Sequence, residues 1–115
     1  MGSQQPFQQG NLAFWQEARE LAILSRSLEG WARGADSESL AHAGAAPAVR
    51  LAEGFLAQDG AGFLASLRLA KRDALTFLYL LDMKSGELNP DEEALAVAAE
   101  SLIRGLAMVI RNLHA

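Results

Sequence analysis

Apolar residues recur at helical spacing along most of this chain, and no stretch alternates as a half-buried strand would. Over residues 11–31, Leu12, Trp15, Ala18, Ala22 and Leu28 share one helical face, which Phe14, Leu21 and Leu24 widen. Asn11 suits the N-cap of that helix, because its side-chain oxygen accepts from unpaired backbone N–H groups. Gly30, Gly34 and the Asp36-Ser37 pair then interrupt the pattern, and Asp36 or Ser37 can cap a second helix over residues 38–57. Pro47 leaves two readings of that segment open. A mid-helix proline removes a backbone hydrogen bond and kinks the helix near Ala43–Pro47, whereas a first-turn proline would make Pro47 the true start.

Gln58-Asp59-Gly60 forms the next break, and a third helix is expected over residues 61–84, stopped by Ser85-Gly86. Asn89-Pro90-Asp91-Glu92 opens the fourth in the order cap, proline, acids. Leu95, Ala98, Leu102, Leu106, Val109 and Leu113 form its stripe, with Ile103 and Ile110 beside it. Four helices joined by short breaks favour antiparallel neighbours, so the fold class expected is all-α, an antiparallel up-down four-helix bundle over residues 11–115. Residues 1–10, MGSQQPFQQG, read as a polar, flexible tail without the basic and apolar regions of a secretion signal. Residues 74–81, ALTFLYLL, are apolar almost all round a helix. Such a segment has to be covered on more than one side, which predicts self-association.

Composition narrows the function classes. Half of the 115 residues are apolar, which suits a globular domain, and the absence of cysteine removes disulfides, thiol nucleophiles and thiolate zinc sites. No uncharged apolar run approaches the roughly 18–20 residues of a membrane span, so the chain reads as a cytoplasmic protein with no membrane partner. The net charge of −4 argues against a simple polyanion binder. That charge is unevenly spread. Residues 85–100 carry Glu87, Asp91, Glu92, Glu93 and Glu100 with no base, for −5, while residues 63–84 carry a surplus of +2.

Catalytic constellations are nearly missing from the sequence. Glu38 and His42, four apart, share a helix face, but the chain has none of the Glu-x-x-His pairs that a di-metal bundle uses, and His114 is penultimate. No serine sits in a Gly-x-Ser-x-Gly or Ser-x-x-Lys motif, and no glycine-rich phosphate loop follows a strand. The expectation is a protein that is not an enzyme and holds neither metal nor cofactor. Arg68, Lys71 and Arg72 are the most suggestive polar group: spacings of three and four put them on one helix face, continued by Thr76 and Tyr79. Cations beside an aromatic ring can grip phosphates and stack a base, although the more ordinary role of such a face is to be solvated and paired with nearby acids. Arg104 and Arg111 are accounted for by the negative end of the fourth helix's dipole.

Three stretches resemble the bacterial four-helix-bundle family of ribosomal-RNA intervening-sequence proteins, which includes the accessory variability determinants of diversity-generating retroelements. They are LAFWQEARELAILSRSLEGW at residues 12–31, LAEGF at 51–55 and FLASLRLAKRDA at 63–74. The chain departs from the family at Ala48, Val49 and Arg50, where a proline-small-asparagine run is usual, and at Arg72, Asp73 and Thr76. The resemblance implies a ring-like homo-oligomer, a pentamer, with Gly54 allowing close helix approach and Glu53 pairing with Arg50 or a base on a neighbouring helix. It also implies RNA, a ribonucleoprotein or a reverse transcriptase as partner. Arg50, Arg68, Lys71, Arg72 and Tyr79 are then the candidate nucleic-acid-binding positions. A protein-interaction scaffold with no nucleic-acid role is the alternative that the net charge favours.

Overall fold

The computed structural model describes residues 12–27, 35–83 and 87–114, and every element among them is helical. Four α-helices follow in order: α1 (Leu12–Ser27), α2 (Ala35–Phe55), α3 (Gly60–Met83) and α4 (Pro90–His114). The expected caps or stops at Asn11, Gly30, Gly34, Ser85 and Gly86, and the tail at residues 1–10, lie outside the described residues. Each helix packs on its chain neighbours, and α1 also closes against α4. The partners run in opposite directions. In the α2–α3 seam Arg50 meets Asp73, Gly54 meets Ser66 and Phe55 meets Phe63, so numbers rise on one helix as they fall on the other. The same holds for α1 and α2, where Phe14 meets Phe55 and Ser25 meets Gly44. This is the up-down four-helix bundle that the spacing predicts.

The local chemistry at the helix ends explains most boundaries. Asp59 caps α3: its Oδ1 accepts from Gly62 N–H at 2.7 Å, and its carbonyl accepts from Phe63 N–H at 3.2 Å. Asn89 and Glu92 form a reciprocal capping box at the start of α4. Glu92 N–H donates to Asn89 Oδ1 at 2.8 Å and Asn89 N–H donates to Glu92 Oε1 at 2.9 Å. At its C-terminus α2 tightens into a turn, with Leu56 N–H donating to the Glu53 carbonyl and Ala57 N–H to that of Gly54.

One expectation is corrected, and of the two readings of Pro47 the mid-helix one holds. Helix α2 starts at Ala35, so Asp36 and Ser37 fall inside it rather than ahead of it. It also runs unbroken through Pro47, which is fully buried, so Pro47 is not its start. Burial of the ring in the core compensates for the hydrogen bond that the proline cannot donate.

The core consists of Phe14, Ala18 and Leu21 from α1, Leu40 and Leu51 from α2, and Leu95, Ala99, Leu102 and Leu106 from α4, around a large share from α3. That share is Phe63, Leu67, Ala70, Ala74, Phe77 and Leu81. In α1 the buried line is Phe14–Ala18–Leu21–Ser25, so residues expected only to widen the stripe are its centre, and Trp15 packs at the edge. ALTFLYLL is partly covered within the chain itself. Ala74, Phe77 and Leu81 are buried, Leu78 and Leu80 pack against the core, and Thr76 and Tyr79 face solvent.

Candidate nucleic-acid interface

The five sequence-derived candidates divide into two sets. Arg50 sits on α2 and is turned into the seam with α3. Its Nε donates to Asp73 Oδ2 at 3.0 Å, and its Nη1 lies 3.7 Å from Glu53 Oε1. The hydrogen bond and charge of Asp73, with a smaller part from Glu53, push its pKa above the usual arginine value. Two carboxylates therefore already hold this guanidinium, and a phosphate would have to compete with both. Glu53 takes the partner three residues earlier that the sequence offered it.

Arg68, Lys71, Arg72 and Tyr79 lie on the outer side of α3. Arg68 and Arg72 are exposed and Lys71 is half-buried. None of the three cations has a carboxylate within ion-pair distance among the described residues, where the recorded pairs are the two made by Arg50. Thr76 turns its hydroxyl back to the Arg72 carbonyl at 3.0 Å and is satisfied within the helix. Tyr79, 68% exposed, stands two turns beyond Arg72 with its ring in solvent. Asp73, the acid nearest in sequence, faces the α2 seam and is held by Arg50.

The net charge of −4 does not cancel this patch. Along the helix axis Arg72 is roughly 15 Å from Asp82, the next acid on α3, at about 1.5 Å per residue. Screening at physiological salt acts over about 8 Å, so the basic and acidic zones act separately. The register between α3 and α4 sharpens the division. Leu78, Tyr79, Leu81 and Asp82 share a groove with Leu88, Ala96 and Glu100. Continuing that antiparallel register carries the exposed Arg104 and Arg111 towards the level of Arg72 and Arg68. Both arginines were explained from the sequence by the helix dipole alone; only the fold brings them to the basic end of the α3–α4 face.

The LAEGF motif is accounted for by packing. Leu51 is buried, and Phe55 joins an aromatic cluster with Phe14, Trp15 and Phe63, at centroid distances of 6.3, 5.4 and 6.1 Å. A Cβ on Gly54 would lie 2.7 Å from Ser66 Cβ, so glycine sets the α2–α3 spacing, as the resemblance implies. His42 is exposed, the side chains of Glu38 and His114 lie outside what is described, and no cluster of three metal-ligating residues occurs among the described residues. No helix among them is long and apolar enough to cross a membrane.

No family model matches the sequence, and no curated protein matches it. Among solved structures, the chain is similar to a protein of unknown function from the S23 ribosomal protein family of Bacteroides thetaiotaomicron. The TM-score is 0.78 at 17% identity, over 87% of this chain and 96% of that one. At that identity the likeness shows a shared helical-bundle fold.

Proposed function

We propose that this protein is a non-catalytic, self-associating four-helix bundle that serves as an RNA- or ribonucleoprotein-associated accessory factor. The observation that carries the reading is the uncompensated set Arg68, Lys71 and Arg72 on the outer side of α3, with the Tyr79 ring exposed on the same side. Cations at helical spacing match successive phosphates, and an aromatic face stacks a base without reading its identity. The family description of the Bacteroides structural neighbour lends support, as does the sequence resemblance to intervening-sequence proteins. Self-association is supported by large apolar side chains left at the surface, including Val49, Leu56, Val97 and Met108, each more than half exposed.

Reversing charge in the double variant Arg68→Glu/Arg72→Glu is expected to abolish retention of a single-stranded RNA oligonucleotide, with oligomeric mass by light scattering unchanged. Retention equal to that of the wild type would overturn the RNA reading. The second reading, a protein-interaction scaffold, is favoured by the exposed acids Asp82, Glu87, Asp91, Glu93 and Glu100 at the other end of the α3–α4 face. It predicts no RNA binding even at low salt.

A further inference from the structure

At the acidic end of the bundle, α3 and α4 separate into a groove of about 300 Å³. Its floor is apolar: Leu78 and Leu81 from α3, Leu88 from the connection, and Ala96 from α4. Ala96 contributes only a methyl group to that lining. Asp82 and Glu100 stand at the rim with Tyr79, and all three are exposed. Neither carboxylate has a basic partner among the described residues.

We propose that this groove is a docking site for a basic, partly apolar segment of a partner protein, anchored by an arginine or lysine. The aliphatic stem of such a residue covers the leucine floor while its charged head reaches the rim, as long basic side chains do on other apolar surfaces. There Asp82 and Glu100 accept charge-assisted hydrogen bonds, and the Tyr79 ring offers a cation–π face. A bare metal ion does not suit the site, because hard cations require several oxygen ligands and the floor supplies none. RNA does not suit it either, because two carboxylates repel phosphate. The groove thus selects the charge opposite to that selected by the Arg68–Arg72 patch, and the inference goes beyond the RNA reading without depending on it. If both sites act, one face of the bundle holds an RNA and a basic protein side by side, with Tyr79 at the boundary.

The test is fluorescence anisotropy with a short fluorescein-labelled peptide of repeating Leu-Arg-Ala triplets, alongside its counterpart with glutamine in place of arginine. The wild-type protein is expected to bind the first and not the second. The surface variant Asp82→Asn/Glu100→Gln should weaken binding at least about tenfold. Arg68→Glu/Arg72→Glu should leave peptide binding in place while abolishing that of RNA. Ala96→Phe, which fills the groove, should also remove binding, with helicity by circular dichroism retained. Three outcomes would each overturn the proposal: no binding by the wild type, equal affinity in the Asp82/Glu100 variant, or a change in oligomeric mass on mutating Asp82 and Glu100. The last would mean that a second copy of this chain occupies the groove.

Discussion

Helix α3 meets its two neighbours in opposite ways. Against α2 the seam is closed: Gly54 lets Ser66 approach, Phe55 lies near Phe63, and Arg50 and Asp73 satisfy one another across the contact. Against α4, beyond the shared core, the seam opens into a groove with leucines on its floor and two exposed carboxylates at its rim. One helix thus builds stability along one side and leaves chemistry accessible along the other. Where charges are paired across a seam they contribute to the fold. The charges left uncompensated, Arg68, Lys71 and Arg72 at one level and Asp82 and Glu100 at another, are the ones free to recognise something else.

The comparison is most exposed to a pair of truncations. Leu51→Ala removes a fully buried side chain and should cost about 2–5 kcal/mol in urea denaturation. Leu78→Ala, in the half-buried floor of the groove, should cost about 1 kcal/mol. Equal losses would mean that the α3–α4 seam is packed as tightly as the other. Next in size, Gly54→Val should destabilise by about 1–3 kcal/mol even though valine is the better helix former, because its Cβ has no room beside Ser66. An unchanged thermal midpoint would show that the closed seam can yield. Asn89→Ala, which removes one half of the capping box beside the groove, should cost about 1 kcal/mol.

The smallest expected effect concerns Arg50. Because Asp73 and Glu53 already hold its guanidinium, Arg50→Ala should change RNA affinity by less than about twofold. Mutating Arg68 or Arg72 should also flatten the salt dependence of binding by about 0.7 per lost phosphate contact on a single strand. A flattened slope in Arg50→Ala instead would place the phosphate contact in the α2–α3 seam.

The helices and their order were legible in the sequence because spacing and capping chemistry agree: Asn89-Pro90 followed by acids predicts the start of α4, and the structure shows the box closed. The sequence left the continuity of α2 open between a mid-helix proline and a start at Pro47. Pro47 ordinarily ends or starts a helix, and only the surrounding core shows that its ring is buried within one. The basic stripe was visible as spacing within a single helix, but the fate of Arg50 was not, since Asp73 lies 23 residues away and meets it only through the antiparallel register. The groove left no local signal either. Ala96 in α4 becomes meaningful only once Leu78 and Leu88 are placed beside it.

Ser25 and Gly44, where α1 crosses α2, constrain how this sequence can change. The Ser25 hydroxyl bonds back to the Leu21 carbonyl at 2.7 Å, and a Cβ at residue 44 would overlap that oxygen and come within 2.5 Å of the Ser25 Cβ. Alanine at position 25 would remove the oxygen but keep the second clash, so with the helices at their present spacing one of the two positions has to be glycine. At this spacing a side chain at 44 therefore fits only opposite glycine at 25, and even there its Cβ would press on the Phe77 ring at 3.2 Å.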